Sequence, residues 1–73
     1  MKRLDIDTWV DIFMKIKDIK NEESYVGVFD WIEVVWLDSS NKWCLCYGKE
    51  ILEDGFKTEE EARERLEYLE DIL

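Results

Sequence analysis

The hydrophobic residues near the N-terminus are spaced as in an amphipathic helix. Apolar side chains recur three or four residues apart, at Trp9, Ile12, Phe13, Ile16 and Ile19. This spacing places them along one face of an α-helix. We expect that helix to cover residues 8–20, with Asp7 or Thr8 capping its N-terminus.

A segment rich in β-branched and aromatic residues follows at residues 25–37 and is typical of strands. It predicts either one long strand bent at Gly27 or a short strand joined to a longer one at residues 31–37. Residues 38–42 have the composition of a turn. A second strand at residues 43–47 then completes a hairpin.

The chain turns again after this hairpin, at residues 48–50, where Gly48 is the turn-forming residue. Ile51 and Leu52 then follow as an apolar pair. They add a short third strand, or they extend the second strand past a bulge.

The C-terminal segment predicts a second amphipathic helix. Thr58 and Glu61 have the spacing of a capping box, in which each side chain satisfies a backbone amide of the other. The apolar stripe that follows consists of Ala62, Leu66, Leu69 and Leu73. The predicted fold class is therefore α+β, with a two- to three-stranded antiparallel sheet flanked by an N-terminal and a C-terminal α-helix.

The composition fits one small domain spanning residues 1–73. The hydrophobic fraction is 47% and there are four tryptophans, enough to build a core. We find no signal-peptide pattern after the basic Lys2-Arg3 pair and no apolar stretch of membrane-spanning length. With two cysteines only, a reduced cytoplasmic compartment is the simplest interpretation.

The charge is strongly negative, at −9. Such a field repels nucleic acid and anionic lipid and attracts basic surfaces. We therefore expect neither direct nucleic-acid binding nor membrane binding, and instead a protein partner with a basic surface.

The excess charge comes from two segments. Residues 58–73 contain seven acidic and two basic residues, and four of the acidic ones form a row on the predicted helix, offset from the leucines. This acidic row is Glu60, Glu64, Glu67 and Asp71. Residues 21–40 contain no basic residue and hold a second acidic block, namely Glu22, Glu23, Asp30, Glu33 and Asp38.

Two interpretations of these carboxylates remain open. The acidic row and the second acidic block could mimic a phosphate backbone and compete for a basic groove on a nucleic-acid-binding protein. Alternatively, they are the solvated face of an ordinary soluble protein, which is the usual role of a charge run.

The aromatic residues suggest a second kind of surface. Alternation places Ile32, Val34 and Trp36 on one face of the first strand. The other face carries Trp31, Val35 and Leu37, together with Glu33. Helices cover both faces, or one face is left for a partner. Four aromatic residues are candidate apolar anchors, namely Trp31, Trp36, Trp43 and Tyr47. In the alternative, all four tryptophans belong to the core.

Motifs for catalysis or metal binding are missing from the sequence. Cys44 and Cys46 resemble half of a zinc site, but the chain has no histidine and no further cysteine. There is no glycine-rich phosphate loop, and the serines have no recognisable activating partner. We therefore predict no enzymatic activity, no metal and no cofactor.

Two resemblances extend this interpretation. The run from Trp43 to Tyr47, followed by Gly55 to Ala62, resembles the hairpin-then-helix ending of small ββα domains, which implies a fold fragment. In size, acidity and lack of catalytic groups, the chain is similar to small phage-encoded inhibitors, the anti-CRISPR and anti-restriction proteins. That resemblance implies that the acidic row would occupy the DNA-binding or PAM-reading groove of a nuclease in the host cytoplasm.

The sequence thus leads to two expectations of function. The first is a protein-binding inhibitor that places its acidic surface in a basic groove of a nucleic-acid-binding protein such as a CRISPR nuclease. The alternative is a small structural or regulatory subunit that forms a homodimer, or binds another protein, through an exposed aromatic sheet face.

Overall fold

The predicted α+β architecture is confirmed. The computed structural model describes residues 2–73, apart from the side chains of residues 25 and 26. Its three strands form one antiparallel sheet in the order β1-β2-β3. In chain order, the elements are α1 (Ile6–Lys20), α2 (Tyr25–Phe29), β1 (Glu33–Leu37), β2 (Lys42–Tyr47), β3 (Glu50–Phe56) and α3 (Glu59–Ile72).

Helix α1 begins earlier than predicted, because its N-cap is Asp5 rather than Asp7 or Thr8. The Asp5 carboxylate accepts a hydrogen bond of 2.8 Å from the Thr8 backbone N–H. The helix ends at Lys20 and is followed by the C-cap Asn21, whose φ of 56° lies in the left-handed region. Three residues of the predicted stripe are buried, namely Trp9, Phe13 and Ile16, whereas Ile12 is half-buried and Ile19 is 61% exposed.

Residues 25–29 form a short helix, so the predicted strand is wrong there. The buried residues Val28, Phe29 and Ile32 are spaced at i, i+1 and i+4, which matches one face of a helical turn and not the alternation of a strand. All three join the hydrophobic core. Strand β1 therefore starts at Glu33, two residues later than the predicted strand at 31–37.

The predicted hairpin is present. Strand β1 pairs with β2 so that Val34 faces Leu45 and Trp36 faces Trp43. Because directly paired residues of an antiparallel sheet point to the same face, these four side chains lie on one side. Leu45 belongs to the core with residues of α1 and α3, so this is the helix-facing side. The outer face carries Val35, Leu37, Cys44 and Cys46.

The third strand is longer than predicted, and two irregularities change its alternation. Cys46 pairs with Ile51, but Leu45 pairs with Glu53 and Trp43 with Phe56, so β3 gains one extra residue at each shift. Each bulge reverses the face of the residues after it. As a result, Glu53 lies beside Leu45 on the helix-facing side and is fully buried.

Helix α3 matches its predicted start and lies against all three strands. The Thr58 hydroxyl accepts the Glu61 backbone N–H at 3.0 Å. Within residues 58–73 the Glu61 carboxylate makes no return bond, so only half of the predicted capping box is present. Of the predicted apolar stripe, Ala62 and Leu69 are buried, whereas Leu66 is half-buried and the terminal Leu73 is exposed.

The two edges of the sheet differ. Along β3, the Asp54 backbone N–H donates to the Lys2 carbonyl at 3.2 Å, and the Lys2 N–H donates to the Asp54 carboxylate at 2.7 Å. Strand β1 pairs with β2 on one side and, within the described residues, with no strand on the other. The free edge of the sheet is therefore β1.

Candidate binding surface

The acidic row on α3 faces away from the core. All four of its residues are exposed, whereas Ala62 and Leu69 are fully buried on the other side of the helix. Glu61 and Glu70 are also exposed and flank the row. The outer side of α3 thus carries six carboxylates within twelve residues.

Neither arginine of α3 forms an ion pair with this row. Arg63 is paired with Glu59, since its Nη2 lies 2.6 Å from Glu59 Oε1. Arg65 points to the interior and forms an ion pair with the buried carboxylate of Glu53, with Nε 2.9 Å from Oε1. Both positive charges of the helix are therefore engaged with carboxylates outside the row.

The Glu53 carboxylate is the polar centre of the interior. It accepts hydrogen bonds from Trp9 Nε1 at 2.8 Å and from the Leu4 backbone N–H at 3.0 Å. Arg65 adds two more, from Nε at 2.9 Å and from Nη2 at 3.0 Å. Arg65 Nη2 also donates to the Leu4 carbonyl at 3.2 Å. This network joins α1, β3, α3 and the N-terminal segment.

The network holds Glu53 in its charged form. Burial by itself raises the pKa of the Glu53 carboxyl, but the hydrogen bonds from Arg65, Leu4 and Trp9, with the charge of Arg65, outweigh that effect. The pKa of Glu53 therefore lies below its ordinary value. The pKa of Arg65 is raised, chiefly because its guanidinium donates to Glu53.

The pair of Arg65 and Glu53 is not predicted by the sequence pattern, although the position of Arg65 gives a partial signal. Arg65 follows Ala62 by three residues and precedes Leu69 by four, so it lies within the apolar stripe of α3. A charged residue at such a position requires a buried partner of opposite charge. The identity of that partner depends on the bulges of β3 and was not predictable.

The second acidic block is dispersed over the surface. Glu22 is half-buried and accepts a hydrogen bond from Trp31 Nε1 at 3.1 Å. Asp38 accepts one from Trp36 Nε1 at 2.7 Å. The remaining members are exposed in three different elements or loops, namely Glu23, Asp30 and Glu33.

The candidate aromatic anchors fall into two groups. Trp31 is 41% exposed and Trp36 is 42% exposed, whereas Trp43 and Tyr47 are half-buried against the core. The alternative in which every tryptophan is core is therefore wrong. Trp36 and Trp43 contact each other edge to face on the helix-facing side, with ring centroids 5.6 Å apart.

The two cysteines are free thiols on the outer face and are buried. Burial raises the pKa of each thiol, and nearby charge adds to this effect, from Asp54 at Cys44 and from Glu33 at Cys46. Across residues 2–73, no group of three or more His, Cys, Asp or Glu side chains converges to hold a metal ion. Within the same residues, no helix has the length and apolar character to cross a membrane.

Comparison with protein-family models, with curated proteins and with solved structures finds no match to this chain.

Proposed function

We propose that this protein is an inhibitor that binds a nucleic-acid-binding protein, such as a CRISPR nuclease, by occupying its basic groove with the acidic row of α3. The observation that carries the proposal is the engagement of Arg63 and Arg65 with Glu59 and Glu53. Neither arginine of the helix forms an ion pair with a carboxylate of the row. These carboxylates are therefore available to the cations of a partner.

The spacing of the row supports competition with nucleic acid. An α-helix rises 1.5 Å per residue, so charges at Glu60, Glu64, Glu67 and Asp71 lie about 4.5–6 Å apart along the axis. One strand of B-DNA carries one charge per roughly 3.4 Å. The row is thus less dense than a phosphate strand but of similar scale. Neighbouring charges lie within a Debye length of about 8 Å, so their fields add.

The rest of the chain reinforces this field. The net charge is −9, and the exposed members of the second acidic block add to the potential outside α3. A potential of one sign raises the rate at which an oppositely charged surface is encountered. The proposed inhibitor acts in the cytoplasm, which is that of the host cell if the chain is phage-encoded, and it uses no cofactor.

An affinity pull-down from host lysate, eluted along a salt ladder, tests the proposal. Exposed charge pairs are screened by salt, so the expected partner is a basic nucleic-acid-binding protein released at moderate salt. Added DNA should compete for that partner. Retention of the partner at high salt, or no effect of DNA, would contradict the proposed groove.

A second candidate function is assembly through the sheet, as a homodimer or with another subunit. The free edge of β1 favours it, because such an edge can pair with a strand of another chain. Val35, a residue of β1 that is 36% exposed, adds apolar surface at that edge. This function predicts a complex that tolerates high salt, or recovery of further copies of this chain alone.

A further inference from the structure

The surface cations of this protein are distributed unevenly over its aromatic rings. Lys20 Nζ lies 4.4 Å from the ring centroid of Trp31 and 5.9 Å from that of Tyr47. Similar contacts place Arg3 over Phe56 at 3.8 Å and Arg65 over Tyr68 at 5.6 Å. Cation–π attraction of this kind acts when the charge is within about 6 Å of the ring centroid.

Trp36 is the exception among the exposed tryptophans. It is 42% exposed, nearly the same as Trp31, yet no lysine or arginine among the described residues lies over its ring. Lys42, which is close in sequence, pairs with Leu37 and so belongs to the outer face, opposite to Trp36. The ring of Trp36 is thus exposed without a cation of its own chain.

The surroundings of Trp36 fix the ring and add negative charge. Its indole N–H donates to the Asp38 carboxylate at 2.7 Å, and its ring contacts Trp43 with an interplanar angle of 69°. Trp43 is itself half-buried against the core, so the pair has a rigid support. An immobilised indole beside a carboxylate combines a ring quadrupole with a full negative charge, and both attract a cation.

From this geometry we infer that Trp36 and Asp38 form the site at which an arginine side chain of the basic partner protein stacks. The inference rests on the proposed function, because it assigns an anchor to the same partner. Arginine is the fitting cation, since its planar guanidinium can lie on an aromatic ring while donating to a carboxylate. Helix α3, which carries the acidic row, packs against β1 on the side that carries Trp36, so the row and this anchor lie on the same side of the sheet.

Solution NMR with a hexaarginine peptide tests the site directly. The control is a hexacitrulline peptide, whose side chains have nearly the same shape as arginine but carry no charge. We expect intermolecular NOEs between arginine side-chain protons and the ring of Trp36, and a saturable shift of the Trp36 indole N–H signal. Hexacitrulline should produce neither effect. Trp31 should give no NOEs, because Lys20 covers it.

Two variants provide matched controls. Trp36→Leu should weaken hexaarginine binding about twofold to fivefold, the effect of one exposed cation–π contact. Trp31→Leu, at a position of nearly equal exposure, should leave the affinity unchanged. Lys20→Met removes the cation that covers Trp31, and we expect NOEs from hexaarginine to Trp31 in that variant.

The outcomes separate this inference from the proposed function. If backbone signals of α3 shift with hexaarginine while Trp36 gives no NOEs, the anchor is wrong and the acidic row still binds cations. If neither responds, both proposals fail. Equal effects of hexaarginine and hexacitrulline on Trp36 would overturn the anchor as a cation site.

Discussion

The buried ion pair between Arg65 and Glu53 leads to the sharpest prediction about stability. Replacing Arg65 with methionine keeps an unbranched apolar side chain but removes the guanidinium. Glu53, which is fully buried, then loses two of the four hydrogen-bond donors that the described residues provide, together with the positive charge of its ion pair. The remaining donors are Trp9 and the Leu4 amide.

The expected effect is large for a domain of this size. A hydrogen bond to a charged group contributes about 1.5–3 kcal/mol, and breaking a buried ion pair by removing one partner costs about 3–5 kcal/mol. A chain of 73 residues has a free energy of unfolding of roughly 4–11 kcal/mol. Arg65→Met should therefore remove roughly a quarter or more of the free energy of unfolding.

Urea denaturation followed by tryptophan fluorescence measures this loss, with Arg63→Met as the matched control. Arg63 lies on the same helix, but its ion pair with Glu59 is exposed, and such pairs contribute at most about 1 kcal/mol. We expect a small effect for Arg63→Met and a large one for Arg65→Met. Equal effects of the two variants would refute the structural role assigned to the Glu53 network.

The pH dependence gives the same reasoning a second test. The pKa of Glu53 is lowered in the folded state, so its contribution to stability is present above the unfolded value of about 4.3. It is lost as the pH falls through the folded pKa. The difference in unfolding free energy between wild type and Arg65→Met should therefore narrow in acid. A difference that does not change between pH 7 and pH 3 would contradict this account.

Three further predictions concern local structure. Thr58→Ala should lower the free energy of unfolding by about 1 kcal/mol through loss of the cap on the Glu61 amide, as urea denaturation would detect. Gly48→Ala meets no atom within 4 Å, so its cost should be only the strain of a positive φ, about 1–2 kcal/mol in the same assay. Cys44 and Cys46 should react with a thiol reagent much more slowly in the folded protein than in urea, because burial raises both pKa values; equal rates would contradict that burial.

The elements predicted correctly are those whose pattern is local. The cap at Thr58, the stripe of Ala62 and Leu69, and the alternation of β1 each depend on residues a few positions apart, and periodicity reveals them. The strand predicted at residues 25–29 was wrong because β-branched and aromatic composition outweighed the helical spacing of the buried residues. Packing against the core determines the conformation of that segment, and such tertiary contacts often override local propensity in short elements.

The features that the sequence did not reveal depend on register. With strict alternation after the pair of Cys46 and Ile51, Glu53 would lie on the outer face of the sheet. The bulge places Glu53 on the helix-facing side instead, where it forms an ion pair with Arg65. Likewise, the exposure of Trp36 depends on its position on the edge strand beside the hairpin loop. The acidic row could be predicted from the sequence, but the ion pairs of Arg63 with Glu59 and of Arg65 with Glu53 could not.

The central claim is that the acidic row itself binds a basic partner. The direct measurement is the affinity for the basic protein captured from lysate, compared among wild type and two triple variants of equal net charge. One variant carries Glu60→Lys, Glu64→Lys and Glu67→Lys. The control carries Asp11→Lys, Asp18→Lys and Glu50→Lys, which replace exposed carboxylates outside both acidic segments.

Circular dichroism of both variants should first show that the helices and sheet are retained. We expect the variant of the acidic row to lose binding and inhibition, and the control variant to retain most of both. If the two variants weaken binding equally, only the total charge matters. If the variant of the acidic row binds as wild type does, the row is a solvated helix face and the proposed function is contradicted.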